Sequence, residues 1–186
     1  MSDYKDIMVD LETLGTGPNA AILSIGAVAF DLKTMSTDTF ERRITLDSAM
    51  RYGKADASTI SWWMQQDRHA RELLFAEGDT VSLSMALHEF SVWASRFSSI
   101  KERRIWGNGA SFDNVILRAA YDATEILAPW MYWNDRCFRT LKSLYPQFDL
   151  AFIGTKHSAL DDAKHQVEYM HAFASYSNGQ LHLEWD

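Results

Sequence analysis

Between residues 20 and 30 the chain is apolar except for Ser24 and Gly26. Eleven residues are too few to cross a bilayer, which takes about 20. Ile22, Leu23, Ile25 and Val28 instead read as a buried strand over 21–31. The short apolar run 6–10, ending in Asp10, precedes it, and 40–46 follows as a further strand. Gly15-Thr16-Gly17-Pro18-Asn19 between the first two is a turn cluster. The chain therefore opens as a β-meander.

Helical periodicity takes over after that. A helix is expected over 58–66, capped by Ser58 or Thr59 and carrying Trp62 and Trp63. The strongest helix is 80–97, with Leu83, Leu87, Phe90 and Ala94 on one face. Residues 104–106 form a short strand ending at Gly107-Asn108-Gly109, and Ser111 caps a helix reaching 123. A strand over 131–133 and a helix over 136–144 follow. Ser158 and Asp161 fit a capping box opening a helix to 175. Strands first, then alternating helices and strands, give an α/β fold, a mixed sheet with helices packed on it. At 186 residues the chain fits one domain over 1–186.

A single cysteine, Cys137, excludes an intrachain disulfide and a Cys-rich zinc site. With a polar N-terminus lacking a signal core, this points to a reducing cytoplasm and no membrane attachment. Eighteen basic and 25 acidic residues leave a net charge of −7. That excludes a binder relying on a basic surface. It leaves room for a nucleic-acid enzyme that works through bound metal, since two divalent ions would bring −7 to −3.

Three stretches carry acids where chemistry needs them. Asp10 and Glu12 are two apart, so on a strand they share a face. Side by side they repel, and a basic side chain or a metal is expected between them. Oxygen-only ligands favour Mg²⁺ or Mn²⁺. Taken alone, the pair also fits two solvated acids at a strand exit. Asp113 lies in the first turn of the helix after Ser111, where an acid is favoured by the helix dipole whether or not it has a further role. His157 precedes the last helix, and Asp161 and Asp162 lie in its first turn. His157 can act as a base near neutral pH, and Asp162 can ligate a metal. The plainer alternative is a surface histidine and two capping acids. Together, four carboxylates and one histidine suit a two-metal phosphodiester hydrolase.

Asp10-Leu11-Glu12-Thr13, Phe112-Asp113 and His157-Ser158-Ala159-Leu160-Asp161-Asp162 resemble the three motifs of the DEDDh 3′–5′ exonucleases, the superfamily of RNase T, oligoribonuclease and the proofreading exonucleases. The H-x-A-x-x-D spacing is met by His157, Ala159 and Asp162. Ile25-Gly26-Ala27-Val28 and the Trp62-Trp63 helix look most like a phage and prophage exonuclease branch related to a small bacterial exoribonuclease group. The resemblance implies an RNase H-like fold with a central mixed five-stranded sheet. It implies Asp10, Glu12, Asp113 and Asp162 as ligands of two Mg²⁺ or Mn²⁺ ions and His157 as the base. It implies hydrolysis at the 3′ end of single-stranded DNA or RNA, releasing nucleoside 5′-monophosphates. Leu11, Thr13 and Leu14 would contact the terminal nucleotide, with Phe112 beside them. Trp62 would offer a base a stacking surface, while core packing is the better reading for at least one of the two tryptophans. Relatives are often dimers, so a homodimer is among the expectations.

Other readings explain less. Gly15 to Ala20 matches G-x-G-x-x-A, but that dinucleotide fingerprint must open a helix, and a strand follows here. No G-x-S-x-G and no P-loop is present. A catalytically inactive nucleic-acid-binding module on the same fold has no need of four convergent carboxylates. Lys101, Arg103 and Arg104 read as a solvated loop rather than a phosphate track. Arg136, Arg139 and Lys142 are placed on one helix face near the site.

Overall fold

The computed structural model describes residues 4–75, 78–146 and 148–176. Its centre is a mixed sheet of six strands in the order β4-β3-β2-β1-β5-β6. These are β1 (Asp6–Thr13), β2 (Ile22–Phe30), β3 (Thr37–Ile44), β4 (Thr80–Val81), β5 (Arg104–Gly107) and β6 (Asp135–Cys137). β1, β2 and β3 form the expected antiparallel meander, while β5 joins β1, and β6 joins β5, in parallel. All nine residues of β2 are buried, as its apolar run requires.

The five-strand expectation falls one short. β4 is two residues pairing with the end of β3, too short for a periodicity to mark. It takes the first residues from the helix expected over 80–97, which begins only at Leu83, with Ser82 as its cap. The other helices are α1 (Leu46–Tyr52), α2 (Ala57–Gln65), α3 (Arg68–Phe75), α5 (Asp113–Ala123), α6 (Phe138–Leu144) and α7 (Ala159–Tyr176), with α4 as Leu83–Ser95. A 3-10 turn occupies Tyr132–Asn134 where a strand is expected, and the strand comes four residues later than expected, at Asp135–Cys137.

β1 divides the core. Ile7, Val9 and Leu11 belong to one apolar cluster with α4 and α5, containing Leu87, Phe90 and Leu117. Met8 belongs to a second with α7, containing Val167, Met170 and Phe173. Alternation along the strand therefore sends Asp10 toward the α7 side. Among the described residues no helix is long and apolar enough to cross a membrane.

Two basic clusters are structural. Arg103 is buried and donates to the Ser98 and Pro129 carbonyls. Arg104 pairs with Asp6 through both ends of its guanidinium. The solvated loop expected there is thus half internal. Arg136 lies in β6 ahead of α6, so it does not share the helix face of Arg139 and Lys142, and Lys142 pairs with Asp149.

Candidate active site

The site forms where β1 outruns its neighbour. Pairing between β1 and β5 stops at Val9 and Gly107. The next inward N–H on that edge, Leu11, would be left without a partner. It donates to Asp113 Oδ1 at 3.3 Å, while Gly109 N–H faces Asp113 Oδ2 at 3.4 Å. The turn after β5 thus locks the start of α5 to the end of β1. Ser111 does not cap α5; the Gly109 carbonyl accepts from Phe112 and Asp113 instead. Gly107 makes this possible, since a Cβ there would lie 2.4 Å from Asn114 Oδ1 and 2.9 Å from Asp113 Cβ.

The second convergence is that of α7 on β2. Gly26 is the cross-strand partner of Asp10. A Cβ on Gly26 would lie 2.1 Å from the Ala159 carbonyl carbon and 2.2 Å from the Leu160 nitrogen. The missing side chain lets the first turn of α7 rest on the sheet beside Asp10. Ser158 caps that turn, accepting from Asp161 N–H at 3.4 Å, whereas the Asp161 carboxylate accepts from Thr155 N–H. Asp162 accepts from His157 N–H at 3.0 Å, and one turn further on Gln166 donates to Asp10 Oδ1 at 2.8 Å.

Asp10, Glu12 and Asp162 each present an oxygen within 4.8 Å of the others, close enough to hold one ion. Asp113 stands beside this set, near enough to raise Asp10's proton affinity. Burial pushes Asp10 well above the ordinary carboxyl range, and the charges of Asp113, Glu12 and Asp162 add to it. Burial, then Asp162 and Asp113, push Glu12 up to about 8. Burial raises Asp113 to about 6 against its backbone hydrogen bonds, and raises Asp162. The hydrogen bonds these carboxylates accept come from backbone N–H groups and one amide, all neutral donors. A hard divalent cation fits this all-oxygen set, supplying the charge that the acids lack.

His157 lies outside the carboxylate set. Its backbone is left-handed, φ 64°. Its ring meets Trp62 edge-on at 4.9 Å and Trp63 at 6.0 Å. The tryptophans divide as expected. Trp63 is buried and donates through Nε1 to the Thr13 carbonyl at 2.9 Å, pinning the end of β1. Trp62 is 42% exposed. Leu11, Thr13, Phe112 and Trp62 line one cavity of about 450 Å³, together with Gly15 and Thr59. Leu14 does not; it is buried in the core. A larger cavity of about 1050 Å³ is lined by His157 and Ser158 with β3 and α3. The Trp62–His157 contact joins a wall of one cavity to a wall of the other. Gly26 enters the sequence reading only within Ile25-Gly26-Ala27-Val28, with no role assigned, and Gln166 does not enter it, although a polar residue four after Asp162 was visible there.

Comparison with known proteins gives a family and a fold. A family model described as the 3′-5′ exoribonuclease Rv2179c-like domain matches residues 5–174. An exodeoxyribonuclease of Enterobacteria phage T4 is 27% identical, the match covering 73% of this chain and 69% of the phage protein. The nuclease domain of 3′hExo, a DEDDh family member solved bound to rAMP, superposes with a TM-score of 0.62 at 12% identity, over 95% of this chain and 94% of that one. Cell-death related nuclease 4 (CRN-4) gives 0.60 at 11% identity, over 94% of this chain and 65% of its own. These two likenesses speak for the RNase H-like fold.

Proposed function

The chain belongs to the Rv2179c-like 3′-5′ exoribonuclease domain family and is a 3′–5′ exonuclease of the DEDDh type, and on that premise we propose that it works as a single cytoplasmic domain on single-stranded 3′ ends, RNA or DNA, with two Mg²⁺ or Mn²⁺ ions. The observation that carries this reading is the trio Asp10, Glu12 and Asp162, with Glu12 buried and the other two half-buried, and Asp113 beside it. These four would hold the ions and His157 would act as the base. All five residues come from one chain, so the reading does not require a homodimer.

When bound, the divalent ions lower the pKa of water and offset the charge on the transferring phosphoryl group. The protein's own residues do the rest. A terminal nucleotide sits in the cavity of about 450 Å³, a volume in the small-molecule range of about 300–1,000 Å³. Its base lies against Trp62, with Leu11 and Phe112 as apolar walls. A His157 ring nitrogen takes the proton of the attacking water. The bond from phosphorus to the 3′ oxygen of the preceding nucleotide breaks. That oxygen takes up a proton as the new 3′ hydroxyl, and the nucleoside 5′-monophosphate leaves.

The test is a cleavage assay on 5′-labelled single-stranded RNA and DNA of matched sequence, with Mg²⁺, Mn²⁺ or chelator, beside Asp113→Ala. RNA is the first arm because the matching family model is an exoribonuclease one; DNA is the second because of the phage relative. A metal-dependent ladder shortening from the 3′ end, absent in the variant, is expected. An unchanged ladder in Asp113→Ala at saturating Mn²⁺ removes Asp113 from the metal site. Binding of the strands with no cleavage under any condition would favour a binding module.

A further inference from the structure

We propose that Gln166 is a positioning residue that sets Asp10 for the metal ion, an inference resting on the metal reading above. The side chain is 4% exposed. Its Nε2 donates to Asp10 Oδ1 at 2.8 Å. Its Oε1 is shielded and has no hydrogen-bond partner. A buried amide with an unused acceptor is a costly way to fill space, and a leucine would fill it more cheaply. The placement explains the choice. Gln166 is four residues after Asp162, so one turn of α7 aligns it with a carboxylate of the trio.

A carboxylate ligand must present one oxygen and keep it there. The amide engages Oδ1 of Asp10 and leaves Oδ2 to face a cation, and it stops the carboxyl group turning away. Neutral donors suit this task, since a lysine or arginine would compete with the ion for the same charge. The unused Oε1 remains beside Asp10 as an acceptor for a proton donor arriving with the ion, such as a coordinated water.

The experiment measures Mn²⁺ binding to the metal-free protein, by calorimetry and by loss of the free-ion EPR signal, for wild type, Asp10→Asn, Gln166→Leu and Gln166→Met. Neither method requires turnover. Gln166→Leu and Gln166→Met are expected to weaken Mn²⁺ binding by about 10–100-fold. Their melting temperatures should stay within a few degrees of wild type, because losing the unpaired Oε1 offsets losing the donor to Asp10. In the cleavage assay kcat should fall while KM for the oligonucleotide holds within about twofold. If both variants bind Mn²⁺ as wild type does while Asp10→Asn does not, Gln166 is a structural tie only and the metal reading stands. If wild type itself binds no Mn²⁺, both readings fall together.

Discussion

Replacing Gly26 by alanine perturbs the site without touching a charged residue. The new methyl group would lie 2.1 Å from the Ala159 carbonyl carbon, 2.2 Å from the Leu160 nitrogen and 2.4 Å from the Ala159 oxygen. All three are backbone atoms of the first turn of α7, so no side chain can rotate aside. Opening 2.1 Å to the 3.4 Å of an ordinary contact takes about 1.3 Å of movement. That turn carries Asp162, and His157 is held to it through its N–H. A misplacement of about 1 Å can cost about 10²-fold in rate, so turnover should fall by at least that much. Overpacking costs about 1–3 kcal/mol. For a chain of this size 2 kcal/mol lowers the melting temperature by about 4–8 °C. Single-turnover shortening of 5′-labelled RNA with Mn²⁺ reads the first effect and a circular-dichroism melt the second. Gly17→Ala is the control, since a Cβ there meets only Asn19 Oδ1 at 3.7 Å, and it should behave as wild type. A Gly26→Ala protein with wild-type turnover and melting temperature would refute the close-approach reasoning.

Three further outcomes are expected. His157→Ala should lower kcat with a partial recovery at higher pH, where hydroxide is available; an unchanged rate removes His157 from the mechanism. Trp62→Ala should raise KM several-fold for oligonucleotides with an ordinary 3′ base but have a smaller effect on an abasic 3′ end; equal effects would mean that Trp62 does not stack on the base. For the metal-free protein, Glu12 is held near 8 when folded against 4.5 for an ordinary glutamate, so the folded state keeps protons that the unfolded chain has shed. Stability present below pH 4.5 is therefore lost as the pH rises through 8. The melting temperature should fall between pH 5 and 8 and recover on adding Mn²⁺, and a melt that rises with pH in chelator would contradict the buried acidic cluster.

Much of the sheet was legible because β2 is buried along its whole length, and a mostly apolar run of nine residues after a turn cluster leaves little choice. The three acidic stretches were legible as spacing: i, i+2 on a strand and H-x-A-x-x-D before a helix. Their convergence was not, because it depends on two absences. Nothing in the letter G at 26 or 107 tells that α7 or Asp113 will press against it. Of the expected caps Ser158 holds, whereas Ser58 and Thr59 lie inside α2, which begins at Ala57. Ser111 has the right chemistry for a cap, but the Gly109 carbonyl had already taken the two N–H groups. Asp56, which precedes α2, spends its carboxylate on Thr16 in the turn after β1. A long-range partner outbids local capping at Asp56, and a neighbouring carbonyl does so at Ser111.

The Asp10–Gln166 contact spans 156 positions, and it has a consequence for synthesis. A growing chain on the ribosome folds from its N-terminal end as it emerges. Through α6 it already carries Asp10, Glu12 and Asp113, yet it lacks Asp162, His157 and the helix that rests on Gly26. The candidate centre therefore closes only after α7 has left the exit tunnel. Until then the acidic set lacks the member that α7 supplies, and β2 lacks the helix that rests on Gly26.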